Sequence, residues 1–228
     1  METMGLSAKY DVSTIISYAP EKSWNYEIGC RLSTADRKLS GEMALFYIDC
    51  RDQQLTMFPE GTTTGRIMAN AGKTRSVGAE ISGRWRPASQ WMIRASYGFT
   101  SAEFVDFDNG REDYAGRRVP YVPQNTFFAG VSWSRPLSRS LSVELNVGVR
   151  GVGSIYWDEA NRYRQPFYAL LDASAAVSGR RWSVTLGGDN LTATRYATFS
   201  YESIGNRFVQ RGKPTRGTVT FRYEISTF

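Results

Sequence analysis

Histidine is absent from the 228 residues of this sequence, and its absence removes several kinds of active site at once. Ser-His-Asp catalysis, histidine-dependent zinc sites and histidine-ligated haem all require an imidazole side chain. We therefore expect no catalytic residues, no cofactor and no bound metal, and we expect that the protein is not an enzyme.

Long hydrophobic runs and blocks of basic residues are missing as well. No stretch reaches about 18 consecutive apolar residues, which excludes a transmembrane helix, and the mean hydropathy is only −0.39. The formal net charge is +6, but Lys and Arg are scattered singly along the chain. Such scatter is not typical of nucleic-acid-binding proteins, so we expect no nucleic-acid partner.

Linkers and targeting signals are also not evident. No Pro- or Gly-rich stretch divides the chain. Residues 1–15 (METMGLSAKYDVSTI) lack the basic start and apolar core of a signal peptide. We expect either a cytosolic chain or the remainder of a longer exported protein.

The chain contains only two cysteines. If residues 24–33 and 39–50 form a hairpin that turns near residues 35–36, Cys30 lies opposite about Gly41 and far from Cys50. We therefore expect two free thiols and no disulfide.

The sequence does contain long stretches in which apolar and polar residues alternate. Residues 91–99, 141–150 and 77–85 each place apolar side chains at every second position. A period of two predicts a strand with one apolar and one polar face. These stretches approach the ~9–11 residues that a tilted strand needs to cross a bilayer.

The alternation predicts an all-β chain, an antiparallel meander of about nine long strands. We expect strands at about 24–33, 39–51, 66–86, 89–103, 124–134, 139–151, 167–177, 181–189 and 215–226. Short and long connections between them alternate strictly, which is typical of a sheet that winds up and down across a membrane.

Several phrases, in order along the chain, resemble the carboxy-terminal half of TonB-dependent outer-membrane receptors. They are residues 20–29 (PEKSWNYEIG), 44–49 (ALFYID), 70–73 (NAGK) with 78–80 (GAE), 114–123 (YAGRRVPYVP), 155–161 (IYWDEAN) and 189–196 (DNLTATRY). Each phrase alone is weak, but their order and spacing across nearly the whole chain form a specific pattern.

The resemblance implies that residues 1–228 are the C-terminal part of a transmembrane β-barrel of about 22 strands, without its plug domain. It further implies a Gram-negative outer-membrane location, a ligand such as a ferric siderophore, contact with membrane lipid, and energy from TonB through the missing plug. One feature departs from the family: Val219, Phe221, Tyr223 and Ile225 keep the apolar phase of the last strand, whereas Phe228 lies out of it.

The long connections carry the candidate ligand-binding residues. Arginine offers a planar cation and aromatic rings offer flat faces, a combination that suits anionic, ring-bearing metal chelates. The candidates are Tyr156, Trp157, Arg162, Tyr163, Arg164, Tyr201 and Arg207.

The polar faces of the strands carry a second set of charges, which we expect to form a ladder along the lumen and to contact a plug. This set is Glu80, Arg84, Arg94, Glu144 and Arg150.

Two other functions stay open at this point: a soluble β-sandwich module that binds a ligand such as carbohydrate, and a small porin-like barrel that closes on itself.

Overall fold

The computed structural model describes residues 20–57, 67–203 and 206–225. Nine strands form one antiparallel sheet in the order β1-β2-β3-β4-β5-β6-β9-β10-β13, and two small hairpins, β7-β8 and β11-β12, lie in the connections. In the described ranges, no helix is long and apolar enough to cross a membrane. The strands are β1 (Lys22–Ser33), β2 (Leu39–Met57), β3 (Ile67–Trp85), β4 (Trp91–Phe107), β5 (Asn125–Pro136), β6 (Ser142–Val152), β7 (Ile155–Tyr156), β8 (Arg164–Gln165), β9 (Tyr168–Ser178), β10 (Trp182–Asp189), β11 (Ala197–Ser203), β12 (Asn206–Arg211) and β13 (Arg216–Tyr223).

All nine predicted strands are present, and they pair with their neighbours as a meander. The largest differences lie at the ends, because β2 continues to Met57 and β4 continues to Phe107. The β2 extension begins at a bulge, where Asp52 has a φ of 56° and the register shifts after Cys50. The extended parts carry no regular alternation, so the pattern could not predict them.

The apolar positions of adjacent strands lie opposite one another across the whole sheet. They form one continuous face, and many of its large side chains are exposed: Trp91 is 44% exposed, Leu145 43% and Val147 52%. A soluble sandwich would bury such a face between two sheets, so this alternative is not supported. Opposed pairs on this face include Tyr26 and Tyr47, Met43 and Ile81, Ile81 and Tyr97, Val131 and Val147, and Leu186 and Val219.

The predicted arrangement of the connections is confirmed. Because consecutive strands are antiparallel neighbours, the short connections 34–38, 86–90, 137–141 and 179–181 all lie at one end of the sheet. The long connections 108–124, 153–167 and 190–215 lie at the other end. Residues 1–19, the connection 58–66 and Phe228 lie outside the described residues.

Aromatic residues border the apolar face beside the short turns, as in the interfacial belts of membrane barrels. Trp91 and Trp133 are opposed across β4 and β5, with their ring centroids 6.4 Å apart. Trp85, Trp182 and Tyr223 occupy the corresponding positions of three other strands.

Both cysteines are free, as predicted. The predicted pairing was wrong by two residues, because Cys30 lies opposite Met43 rather than Gly41. The turn spans 34–38, with Arg37 at a φ of 54°, so its centre lies one residue further along the chain than the sequence indicated.

The polar face carries cross-strand ion pairs between Arg31 and Glu42 (2.8 Å) and between Arg216 and Asp189 (2.6 Å). Among the five predicted ladder residues, Arg150 pairs with Asp172 at 3.0 Å and Glu144 accepts a hydrogen bond from Asn146. Arg84 lies directly opposite Arg94, and like charges at opposed positions repel each other. The contact of this face with a plug stays a prediction.

The two faces of β10 can be tested with two neighbouring residues in a folded preparation of the protein. Leu186→Arg places a charge on the apolar face near the middle of the strand and should lower the free energy of unfolding by ~2–4 kcal/mol in lipid vesicles. Thr185→Arg places the same charge on the polar face and should have a much smaller effect. Urea titration measures both, and equal losses would contradict the assignment of the faces.

Candidate ligand-binding loops

The first long connection, 108–124, has a small apolar core of its own. Phe104, Phe107 and Tyr114 are buried together. The ring centroid of Phe107 lies 5.0 Å from that of Phe104 and 5.3 Å from that of Tyr114. Asn109 donates a hydrogen bond to the Tyr114 hydroxyl at 2.8 Å, and burial raises the pKa of Tyr114. This core gives the connection a defined shape above the sheet.

Asn161 joins this connection to the second one, 153–167. Its side-chain oxygen accepts the Arg118 backbone N–H at 2.8 Å, and its amide nitrogen donates to the Arg118 carbonyl at 2.9 Å and the Asp158 carbonyl at 3.1 Å. Asn161 has a φ of 56°, a conformation that asparagine tolerates better than most residues. Arg117 adds a hydrogen bond to the Ala160 carbonyl at 2.7 Å.

Tyr121 joins all three long connections. Its backbone N–H donates to the Tyr156 carbonyl at 2.8 Å, and its ring lies 5.6 Å from both Trp157 and Phe199, stacked on the latter at 13°. Its hydroxyl approaches the Ser200 carbonyl at 3.4 Å, and burial raises its pKa. This aromatic packing, together with the hydrogen bond from the Ala197 N–H to the Gln165 side chain at 2.9 Å, holds the third connection against the other two.

Asn190 fastens the third connection, 190–215, to the rim of the sheet. It is 3% exposed and donates through its side chain to the carbonyls of Thr194 and Lys213. Its own carbonyl accepts from Thr215, and its N–H donates to Asp172. The DNLT phrase in the sequence therefore marks a structural anchor of this connection.

A charged cluster forms where the β11–β12 hairpin meets the second connection. The Tyr163 hydroxyl donates to a Glu202 oxygen at 2.8 Å, and Arg162 lies 3.8 Å from the same oxygen. The Arg207 guanidinium lies over the Tyr163 ring, 4.6 Å from its centroid, and Arg162 lies 5.6 Å from that centroid. The hydrogen bond to Glu202 raises the pKa of Tyr163 because it stabilises the neutral phenol.

Asp158 completes this cluster. Its carboxylate accepts from the Arg162 Nε at 3.0 Å and from the Tyr163 backbone N–H at 2.9 Å. The first of these bonds raises the pKa of Arg162. The cluster thus contains two guanidinium groups and two carboxylates around one phenol ring.

The structure brings three of the seven sequence-predicted site residues into one group, namely Arg162, Tyr163 and Arg207. Tyr201 lies on the same hairpin, 45% exposed and stacked on Phe208 at 5.1 Å. Trp157 is only 5% exposed and packs under Tyr121. Tyr156 and Arg164 are opposed in the β7–β8 hairpin.

Sequence reasoning missed the residues that hold the loops together. Tyr121, Glu202, Asn161 and Asn190 were not among the candidates. The signal for Tyr121 was its place between Pro120 and Pro123 in a phrase of the resemblance, and an asparagine in a loop can signal a positive φ. Nothing in the sequence indicated that Glu202 would lie beside Tyr163.

Two substitutions of Asn161 test the clamp between the first two connections. Asn161→Gly removes the side-chain hydrogen bonds but tolerates the positive φ, whereas Asn161→Ala also incurs about 1–2 kcal/mol of backbone strain. Hydrogen exchange of the Arg118 amide should accelerate about fivefold in Asn161→Gly, since a net hydrogen bond contributes ~1 kcal/mol. It should accelerate further in Asn161→Ala, and unchanged exchange in both would show that the clamp does not hold the loops.

Comparison with known proteins bears on the whole chain. Residues 7–191 match the family model described as TonB dependent receptor-like, beta-barrel. The pesticin receptor of Yersinia enterocolitica is 36% identical over 201 residues, 87% of this chain and 27% of that protein. The ferrichrome outer membrane transporter/phage receptor of Escherichia coli is 26% identical over 220 residues, which are 90% of this chain and 27% of that protein.

Solved structures agree with the fold. The ferric yersiniabactin uptake receptor of Yersinia pestis superposes with a TM-score of 0.79 at 29% identity, over 92% of this chain and 31% of that one. The siderophore receptor PiuA of Acinetobacter baumannii has a TM-score of 0.72 at 21% identity, over 90% of this chain and 29% of that one, and shows the fold alone.

The predicted resemblance and the outer-membrane location are confirmed by these matches. The chain spans about a quarter of the length of the curated relatives that it matches. Its single meander, its exposed apolar face and its family match lead to one conclusion: the chain belongs to the TonB-dependent receptor-like β-barrel family.

Proposed function

We propose that residues 1–228 form the C-terminal part of the barrel of a larger importer, whose plug domain and earlier strands lie outside this chain. The whole protein binds a ferric siderophore or a similar iron chelate and imports it with energy that TonB delivers through the plug. The relatives support this proposal, since they include a pesticin receptor and a ferric yersiniabactin uptake receptor. The barrel would contain about 22 strands, of which this chain supplies the last nine or so.

One observation carries the proposal for the ligand: arginine and aromatic side chains gather in the long connections at one end of the sheet. Arg162 and Arg207 flank Tyr163, and the hairpin beside them exposes Phe199 (40%), Tyr201 (45%) and Phe208 (47%). Anionic chelates with aromatic ligands offer negative charge to the guanidinium groups and flat faces to the rings. Trp157 supports this surface from below, and Tyr156 and Arg164 border it in the β7–β8 hairpin.

The two faces and the loop end of the sheet have different roles in this proposal. The apolar face contacts membrane lipid, the polar face borders the lumen, and the loop end receives the ligand. Rearrangement of the plug would then open the lumen for passage. This chain therefore contributes wall and ligand-binding loops, and the rest of the protein couples transport to TonB.

The edges of the sheet support the proposal that further strands complete the barrel. Within the described residues, β1 and β13 each pair on one side only. An odd number of strands makes these two edges run in the same direction, so they cannot close on each other in the usual antiparallel way. This makes a small self-closing barrel an unsuitable alternative.

The ligand site can be tested with two iron(III) chelates of similar size, a hexadentate tris-catecholate that is trianionic and a hexadentate tris-hydroxamate that is uncharged. In the complete receptor, Arg207→Ala should raise the Kd of the trianionic chelate about tenfold, because a charge-assisted contact contributes ~1.5–3 kcal/mol. The Kd of the uncharged chelate should change little. Quenching of intrinsic fluorescence measures both.

Arg139→Ala is the matched control, since it removes the same charge from the short connection 137–141 at the opposite end of the sheet. It should leave both Kd values unchanged. If Arg207→Ala and Arg139→Ala have equal effects, the loop cluster is not where the anionic chelate binds.

The 228-residue chain expressed alone should collect in inclusion bodies and confer no chelate uptake. Its open edges would expose unpaired backbone groups, each costing several kcal/mol in hydrocarbon, and in water its apolar face would aggregate. Cell fractionation and a growth assay on iron chelates measure this. A soluble monomer with a sharp thermal transition in the absence of detergent would contradict the proposal.

A further inference from the structure

The carboxylate of Glu202 lies in a position that suits the anionic group of a ligand. It accepts the Tyr163 hydroxyl at 2.8 Å and lies 3.8 Å from Arg162 Nη2. Arg207, which lies directly opposite Glu202 in the β11–β12 hairpin, turns toward the Tyr163 ring and donates to the Ser200 hydroxyl at 3.0 Å. A cationic pocket built from two connections is thus filled by an acid of the protein itself.

The two carboxylates of the cluster are held very differently. Asp158 has a side chain that is only 13% exposed, and it accepts hydrogen bonds from Arg162 and from the Tyr163 backbone within its own connection. Glu202 has a side chain that is 36% exposed. Its hydrogen bond with Tyr163 and its ion pair with Arg162 both reach to a different connection. Exposed ion pairs are weak because water and salt compete with them. Asp158 is therefore a fixed part of the site, whereas Glu202 can be exchanged for another anion.

We propose that Glu202 is an internal anion that occupies the subsite formed by Arg162, Tyr163 and Arg207, and that an anionic oxygen group of the ligand displaces it. A carboxylate, phenolate or catecholate oxygen has the charge and hydrogen-bonding capacity to take its place. This inference rests on the proposed function, since it assigns a specificity role within the same ligand-binding loops.

Displacement has two consequences. Glu202 makes the pocket selective, because an uncharged ligand gains too little from the two guanidinium groups to replace a carboxylate that is already there. It also links ligand binding to the loops, since the bond between Tyr163 and Glu202 joins the β11–β12 hairpin to the 153–167 connection. Binding of an anionic ligand would release the hairpin from that contact.

Glu202→Gln tests the proposal, because the amide keeps the shape of the side chain and can still accept from Tyr163 while the competing charge is gone. We expect the complete receptor with this substitution to bind the trianionic tris-catecholate chelate about tenfold more tightly. The uncharged tris-hydroxamate chelate should bind with an unchanged Kd.

Glu159→Gln is the matched control. Glu159 is an exposed acid of the same 153–167 connection, and within the described part of the chain it forms no ion pair with Arg162 or Arg207. It should change either Kd by less than about twofold, the size of a screened surface charge effect.

Each outcome bears on the proposal. Tighter binding of the trianionic chelate alone supports displacement. Weaker or unchanged binding of the trianionic chelate shows that Glu202 only stabilises the hairpin. Equally tighter binding of both chelates shows that the site does not select for the charge of the ligand. Either result overturns the inference while the proposed function stands. If neither the wild type nor Glu202→Gln binds either chelate, the proposed function and this inference both fail.

Discussion

Every backbone N–H and C=O group that enters the hydrocarbon layer needs a partner within the protein, because no water is there to bind it. Within the nine-stranded sheet, β2 to β6, β9 and β10 meet this requirement with a neighbour on each side. Their pairing runs without a shift from the short turns up to Cys50 on β2 and Thr74 on β3. The register shifts of the sheet all lie beyond these points, toward the long connections, where water can satisfy a group that a bulge leaves unpaired. The bilayer thus accounts for where the sheet is regular and where it is not.

Backbone pairing stabilises the wall, so the connections at the loop end can take conformations that a strand could not. Among the described residues, non-glycine positions with positive φ concentrate there, at Tyr121, Asn161, Asn190 and Ala193, while Asp52 lies at the bulge of β2 and the short turns contain only Arg37. Side-chain amides and aromatic rings then hold these conformations in place, as Asn161 and Tyr121 do between connections. The result is a set of loops that are packed on one another and still exposed to ligand, an arrangement typical of binding sites carried by a rigid scaffold.

Much of the sheet could be predicted from the sequence because lipid on one face and water on the other impose a period of two. The same reasoning fails beyond the lipid-facing part of the sheet, where loop packing and water replace lipid. The upper parts of β2 and β4 and the β11–β12 hairpin carry no such period and were not predicted. Arg162, Tyr163 and Arg207 could be selected as candidates from residue type and loop position. Glu202 could not, because its role depends on its contact with Tyr163, a residue of another connection that lies 39 positions away in sequence.

Two kinds of ion pair among the described residues differ in how their partners are held. On the polar face, Arg31 with Glu42 and Arg216 with Asp189 are opposed residues of paired strands. Backbone hydrogen bonds keep these partners together whether or not the side chains pair, so such a pair re-forms readily after it breaks.

In the loops, by contrast, Arg162 and Glu202 belong to separate connections, which are joined by contacts that involve side chains and not by paired strands. Breaking that contact removes part of what holds the connections together. The charge of a ligand would therefore change the arrangement of the strands little and the arrangement of the loops considerably. This difference explains physically why residues of the same types stabilise a regular sheet on the polar face and form a more easily broken contact between the loops.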